Sequence, residues 1–183
     1  GVFYFSNVYV KQGEAITRQF PMLANNITRS FEIPSANVDM TTVTVTVQES
    51  ASNTQITEYL PADDLTQIKS NSAVYFIEEN ENLNYTIKFG DNVIGKRPAN
   101  GNIVIVSYLD TVGSSANNIY SFRFSEALGG YFKNNVQVDT VSASYGGTDK
   151  ETIEEVQFRA PYAYTAQNRA VTKSDYEVLI SKD

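Results

Sequence analysis

The clearest pattern in the chain is the alternation of apolar and polar residues, which is typical of β-strands with one face in a core. Valine and threonine alternate between residues 41 and 47, so Val43, Val45 and Val47 should share the buried face of a strand. Residues 83–89 alternate in the same way, and residues 103–106 are apolar throughout, which predicts a central strand. Further strands are predicted at residues 3–10, 120–124, 136–138 and 141–145.

Turn residues connect the strands in the middle of the chain. Gly90, Asp91 and Asn92 follow the strand at 83–89 and predict a tight hairpin whose return arm begins at Val93. Together with the strand that starts at Ile103, this predicts a meander of neighbouring strands from about residue 73 to residue 109.

The period changes from two to about 3.6 residues after Gly147, which predicts a change from strand to helix. Thr148 and Glu151 have the spacing of a capping box, so a helix of about three turns should start there and end at Pro161. A second box, Thr172 to Asp175, predicts another helix. The apolar face of this second helix is short, and we expect residues beyond the terminus or another chain to cover it.

These elements predict an α+β protein that is mainly β, with an antiparallel β-rich domain followed by short, incomplete C-terminal helices. The first residue is not methionine, and we expect the chain to be a piece of a larger protein. The predicted organisation is a lead-in segment with a strand at 1–30, the β-rich domain at 31–115, further strands at 116–148 and the start of a helical region at 149–183.

Composition narrows the possible functions. The chain has no Cys and no His, which excludes thiolate and imidazole chemistry and the usual zinc sites. The net charge of −7 disfavours nucleic acid as a partner, and no apolar run is long enough to span a bilayer. We therefore expect no cofactor, no metal, no nucleic acid, no membrane insertion and no small-molecule substrate.

Carboxylate pairs are the remaining candidates for enzyme chemistry. A glycosidase needs two carboxyl groups that face one sugar, whereas adjacent acidic residues point in different directions. We interpret the acidic pairs as solvated surface charge, with a weak Ca²⁺ site at Asp63 and Asp64 as the main alternative. The pairs are Asp63–Asp64, Glu78–Glu79 with Glu81, and Glu154–Glu155.

Arg169 is the most unusual charged residue. It lies just before a predicted helix N-terminus, where the helix dipole gives its charge no stabilisation. We expect its guanidinium to hold backbone carbonyls or a carboxylate, buried or at an interface; a solvated loop arginine is the alternative.

The motifs after the predicted strands consist of Gly146, Gly147, Asp149, Glu151, Arg159, Pro161, Asn168, Arg169, Thr172, Asp175 and Tyr176. Taken together, these motifs resemble the signature of the baseplate J-like family, and residues 31–47 are similar to wedge proteins of contractile phages of the T4 type. A hairpin motif upstream also matches, at Phe89, Gly90, Asp91 and Gly95. Asn92 stands where the family has a second glycine, and we expect it to adopt the same left-handed backbone.

The resemblance implies a structural role without catalytic residues, in the baseplate of a virion tail. In such a role the chain would pair with itself, as a dimer or ring, and with other wedge and hub proteins, and the assembly would rearrange on tail contraction. It would be made and assembled in the cytoplasm of the bacterial host. A second interpretation is a β-sandwich carbohydrate-binding or adhesin module, suggested by 12 Tyr and 10 Phe.

Overall fold

The computed structural model describes residues 3–24, 30–63, 65–80, 82, 84–125, 130 and 136–166. The chain divides into two compact units, residues 1–147 and residues 148–183. The first unit contains the strands and the second contains the described helix.

The first unit is built on one seven-stranded sheet with the order β1-β7-β3-β4-β5-β6-β2. Five of its strand pairs are antiparallel, and β4–β5 is parallel, which the antiparallel prediction did not include. The prediction of a mainly β, α+β fold is confirmed. The strands are β1 (Glu14–Pro21), β2 (Phe31–Ile33), β3 (Val38–Gln48), β4 (Ile56–Pro61), β5 (Val74–Glu79), β6 (Tyr85–Phe89) and β7 (Ile103–Asp110).

The core lies on the face of the sheet that the alternation in β3 predicted. Val45 and Val47 are buried and stand opposite Val106 and Val104 of β7, while Val43 packs partly against them. The prediction that residues 103–106 form a central strand is also confirmed, because β7 lies between β1 and β3. The core consists of Met22, Phe31, Ile33, Val38, Val45, Val47, Tyr59, Tyr75, Ile87, Val104, Val106 and Tyr108.

Aromatic rings connect strands that are far apart in the sheet order. Phe20 of β1 and Phe31 of β2, which are the two edge strands, have ring centroids 5.1 Å apart. Phe89 of β6 lies 6.0 Å from Phe31 and 5.3 Å from Tyr59 of β4 in edge-to-face arrangements. The sheet is therefore curled strongly enough for rings from both edges to meet over one core.

The predicted meander at residues 73–109 is wrong. β6 follows β5 as a hairpin, but β7 leaves this pair and lies between β1 and β3. The return arm expected at Val93 is not a strand, because residues 91–95 form a compact turn instead. The apolar run in β7 fits its central position in the sheet, where both faces of a strand are covered. The turn residues before β7 do not specify which strands become its neighbours.

The strands predicted at 3–10, 120–124, 136–138 and 141–145 are also wrong: their described residues belong to no strand. The backbone of residue 144 bonds to residues 118 and 119, but this contact does not extend into a ladder. Alternation shows that a segment can pair, whereas a strand also needs a neighbour that supplies backbone donors and acceptors.

Helix α1 (Ile153–Ala166) begins and ends later than predicted. The capping box is formed by Thr152 and Glu155: the Thr152 hydroxyl accepts from the Glu155 N–H at 3.3 Å, and the Glu155 carboxylate accepts from the Thr152 N–H at 2.8 Å. Pro161 lies inside the helix, which continues for one more turn despite the backbone hydrogen bond that proline cannot make. The second predicted helix lies outside the described residues.

Candidate functional site

The hairpin motif forms a tight turn after β6. A Cβ placed on Gly90 would lie 2.2 Å from the carbonyl oxygen of Gly95, so the two backbones approach as closely as glycine allows. Asn92 has a φ of 71° and donates its N–H to the Gly95 carbonyl at 3.0 Å. The expected left-handed backbone at Asn92 is therefore present, although the turn does not lead into a return strand.

Asp91 holds the turn from inside. Its Oδ1 accepts the N–H groups of Val93 at 2.8 Å and Ile94 at 2.9 Å. The hydrogen bonds from Ile94 and Val93 lower the pKa of the Asp91 carboxyl from its ordinary value. Within this motif the acidic residue stabilises a backbone conformation and does not resemble a general acid.

The turn is fixed to the rest of the first unit by backbone hydrogen bonds. The N–H of Gly95 donates to the Lys69 carbonyl at 3.1 Å, and the N–H of Lys96 donates to the Ser72 carbonyl at 2.7 Å. Pro98 follows in a fully buried position, and Phe89 joins the aromatic contacts described above. The four predicted residues of this motif are thus brought together, and their contacts are structural.

The glycine pair at the end of the first unit is held by a residue that the sequence analysis missed. The Oδ1 of Asn117 accepts the Gly147 N–H at 2.9 Å, and its Nδ2 donates to the Gly147 carbonyl at 2.7 Å. A Cβ on Gly147 would lie 2.4 Å from the carbonyl oxygen of Gly113, which explains the glycine there. Gly146 has a φ of 84°, a backbone region that favours glycine.

In the second unit, two of the predicted motif residues form an ion pair. The Arg159 guanidinium on α1 contacts the carboxylate of Glu151, which precedes the helix. Both side chains are more than a third exposed, so solvent screens the attraction. Asn168, Arg169, Thr172, Asp175 and Tyr176 lie outside the described residues, and the expectation for Arg169 stays a prediction.

Acidic groups in the described residues do not assemble into a metal centre. No group of three or more His, Cys, Asp or Glu side chains there is placed to hold an ion. Asp64, one half of the alternative Ca²⁺ pair, lies outside the described residues. The Glu32 carboxylate is held instead by amides, because Asn84 and Asn80 donate to it at 2.7 and 3.1 Å and lower its pKa.

Several large apolar side chains among the described residues of the first unit are exposed. The segment before β1 carries Phe3, Tyr4, Phe5 and Tyr9 with more than four fifths of each side chain exposed. Its C-terminal end is fixed by Lys11, whose ammonium group donates to Asp39 at 3.0 Å beside the bulge in β3. Such exposure is typical of surfaces that bind other proteins.

On the second unit, Ile153 and Val156 of α1 are 69% and 45% exposed. The described residues contain no helix long and apolar enough to cross a bilayer.

No protein-family model matches the chain. The backbone protein of the group B streptococcus pilus 2b is a structural neighbour with a TM-score of 0.35 and 20% identity, over 62% of this chain and 44% of that one, a similarity too low to assign a shared fold. The baseplate wedge protein gp6 of Enterobacteria phage T4 is 25% identical over 134 residues, which cover 62% of this chain and 20% of that protein. The chain thus spans about a fifth of the length of this curated relative and is distantly related to a baseplate protein.

Proposed function

We propose that the chain is part of a structural, non-catalytic subunit of a phage tail baseplate, a wedge or ring component that assembles with itself and with neighbouring wedge proteins around the tail hub. The observation that carries this proposal is the similarity to the T4 baseplate wedge protein over 134 residues. A rearrangement of these contacts on tail contraction is part of the same proposal.

The distribution of apolar surface supports an assembly role. Every buried side chain of the core cluster belongs to the first unit, while Phe3, Phe5 and Tyr9 stand exposed before β1. Exposed aromatic rings supply large contact areas at low entropic cost and are enriched in protein interfaces. The proposed partners are therefore proteins, and the exposed segment at residues 3–10 is one of the surfaces they would cover.

Reconstitution tests the proposal directly. The 183-residue chain, carrying an affinity tag, is mixed with the wedge proteins of the same phage, and stable complexes are separated by size. We expect co-elution with at least one wedge neighbour. Replacing Phe3 and Phe5 by Ser should weaken that complex and leave the fold intact, because both rings are exposed. The control is Val93→Ser, because Val93 is also an exposed apolar residue, at 72%, but lies on the turn after β6.

The absence of catalysis is proposed on composition, since the chain has neither Cys nor His. Its test is the release of soluble fragments from peptidoglycan by the purified chain. Hydrolysis above background that is lost on replacing a carboxylate would establish an enzyme and contradict this part of the proposal.

A carbohydrate-binding function is the second candidate, and one observation favours it. Tyr120 and Tyr145 are 70% and 82% exposed. They lie next to residues 119 and 144, whose backbones are hydrogen-bonded, so the two rings are carried by adjoining segments. A glycan array separates the two functions: specific binding of one sugar that is lost in Tyr120→Ala or Tyr145→Ala would favour this candidate, because aromatic rings stack on sugar faces.

A further inference from the structure

Strand β1 is an edge of the sheet, and its outer side pairs with no other strand of the described residues. Among the described residues it pairs with β7 alone. Just after β1, the N–H of Met22 donates to the Asn102 carbonyl on the β7 side at 2.8 Å. Because backbone groups alternate in direction along a strand, the N–H and C=O groups of Ala15, Thr17 and Gln19 point outwards. The outer side of β1 therefore offers a row of donors and acceptors for another strand.

Two opposite charges flank an apolar residue along this edge. Glu14, Ile16 and Arg18 share one face of β1, since side chains alternate along a strand. Ile16 packs partly against the core, whereas Glu14 and Arg18 are exposed. Neither charged side chain has an ion-pair or hydrogen-bond partner among the described residues. Along this edge, Glu14 and Arg18 thus lie two positions to either side of Ile16, and neither charge is paired with a described residue.

We propose that β1 pairs antiparallel with β1 of a second copy of the chain across a two-fold axis, with Ile16 opposite its own copy. This inference names the surface for the self-association included in the proposed function, on which it rests. In this register each Glu14 stands opposite an Arg18, twice in the dimer, and Ala15 and Thr17 exchange backbone hydrogen bonds. The pairing also covers what remains exposed of the partly buried Ile16 and extends the sheet continuously from one copy to the other.

The charges of Glu14 and Arg18 favour a second copy of the chain as the partner strand, and they favour one register of the pairing. Shifting the pairing by one step, to Thr17 opposite Thr17, would place Arg18 opposite Ile16 and Glu14 opposite Phe20. Shifting it the other way would place Glu14 opposite Ile16 and Arg18 opposite Gln12. Only the register with Ile16 on the axis matches both charges with opposite charges and the apolar residue with itself. A second copy provides this complement without any further partner.

Sedimentation equilibrium of the 183-residue chain tests the inference. We expect a dimer whose dissociation constant rises with NaCl concentration, since salt screens exposed ion pairs. Glu14→Arg and Arg18→Glu should each raise the dissociation constant about tenfold, because each places like charges opposite one another twice. The double variant, Glu14→Arg with Arg18→Glu, should restore dimerisation. Glu58→Arg makes the same charge change on β4, inside the sheet, and should leave the dimer unchanged.

Two further measurements keep the result unambiguous. Circular dichroism must show that each variant keeps its strand content. Thr17→Pro removes an outward N–H while sparing the β7 ladder, so it should abolish the dimer in a folded chain. A chain that stays monomeric at every concentration, or a double variant no better than the single ones, would overturn the inference. Binding to wedge neighbours is measured separately: if it persists while β1 variants leave the dimer unchanged, the edge inference fails and the proposed function stands.

Discussion

The side-chain amide of Asn117 makes two hydrogen bonds to the backbone of Gly147: it accepts the N–H at 2.9 Å and donates to the carbonyl at 2.7 Å. The two residues are 30 positions apart, so this contact closes the long segment that leads to the end of the first unit. The described strands end at Asp110, before this segment begins. A few such side-chain contacts therefore hold the segment, in place of a ladder of backbone hydrogen bonds.

Replacing Asn117 by Ala should loosen this closure. Two hydrogen bonds to one backbone position are lost, which should lower the free energy of unfolding by about 1–3 kcal/mol. Hydrogen exchange should become faster at the amides of Gly147 and Ser144. Asn100→Ala in the turn before β7 is the control. Equal exchange rates in the two variants would show that the hydrogen bonds from Asn117 to Gly147 do not hold the segment between them.

The turn after β6 should be highly sensitive to added side chains. Gly101 and Gly95 both have positive φ, but only Gly95 has a neighbour, Val74, within 2.9 Å of an added Cβ. Gly101→Ala should therefore cost about 1–2 kcal/mol of backbone strain. Gly95→Ala should cost about 1–3 kcal/mol more from the close contact. Urea denaturation of both variants measures the difference, and equal costs would mean that the turn has room to relax.

A matched pair of isoleucines, one buried and one exposed, tests the assignment of the core. Ile87 is completely buried, whereas Ile56 at the start of β4 is 55% exposed. Ile87→Ala should lower the free energy of unfolding by about 2–5 kcal/mol, because it leaves a cavity beneath the sheet. Ile56→Ala should cost less than half as much. Similar losses at the two sites would contradict the assignment of the core.

Acid should weaken the turn that Asp91 holds. Its folded-state pKa lies below the ordinary 3.8 because Ile94 and Val93 donate hydrogen bonds to the carboxylate. The ionised group therefore stabilises the folded chain above its ordinary pKa, and this contribution is lost as the pH falls through the lower, folded value. Asp91→Asn should be less stable than the parent at neutral pH, and the difference in stability should shrink as the pH falls below the ordinary 3.8. A difference that stays constant from pH 7 to pH 3 would argue against the carboxylate's role.

The sequence predicted elements where local chemistry alone determines the backbone. The alternation from Val43 to Val47 placed the core face of β3 correctly, and Asn92 adopts the expected left-handed conformation. The partner of each strand could not be predicted, because β7 reaches its place between β1 and β3 through contacts between residues distant in sequence.

The site residues divide in the same way. Gly90 and Gly95 could be found because a tight turn requires glycine at both places. Asn117 had no such signal, since asparagine is common in loops and its partner Gly147 lies 30 residues away. The helix start was displaced because Thr148 and Thr152 offer similar capping boxes, and only the later one has its Glu side chain on the threonine N–H.

On the proposed function a phage encodes this chain, and cryo-electron microscopy of purified tails from that phage tests the central claim most directly. The baseplate account predicts density for the seven-stranded sheet within the baseplate, in contact with wedge neighbours and repeated by the symmetry of the particle. Intact, baseplate-bearing tails in which the chain is absent from both the density and the protein content would contradict it.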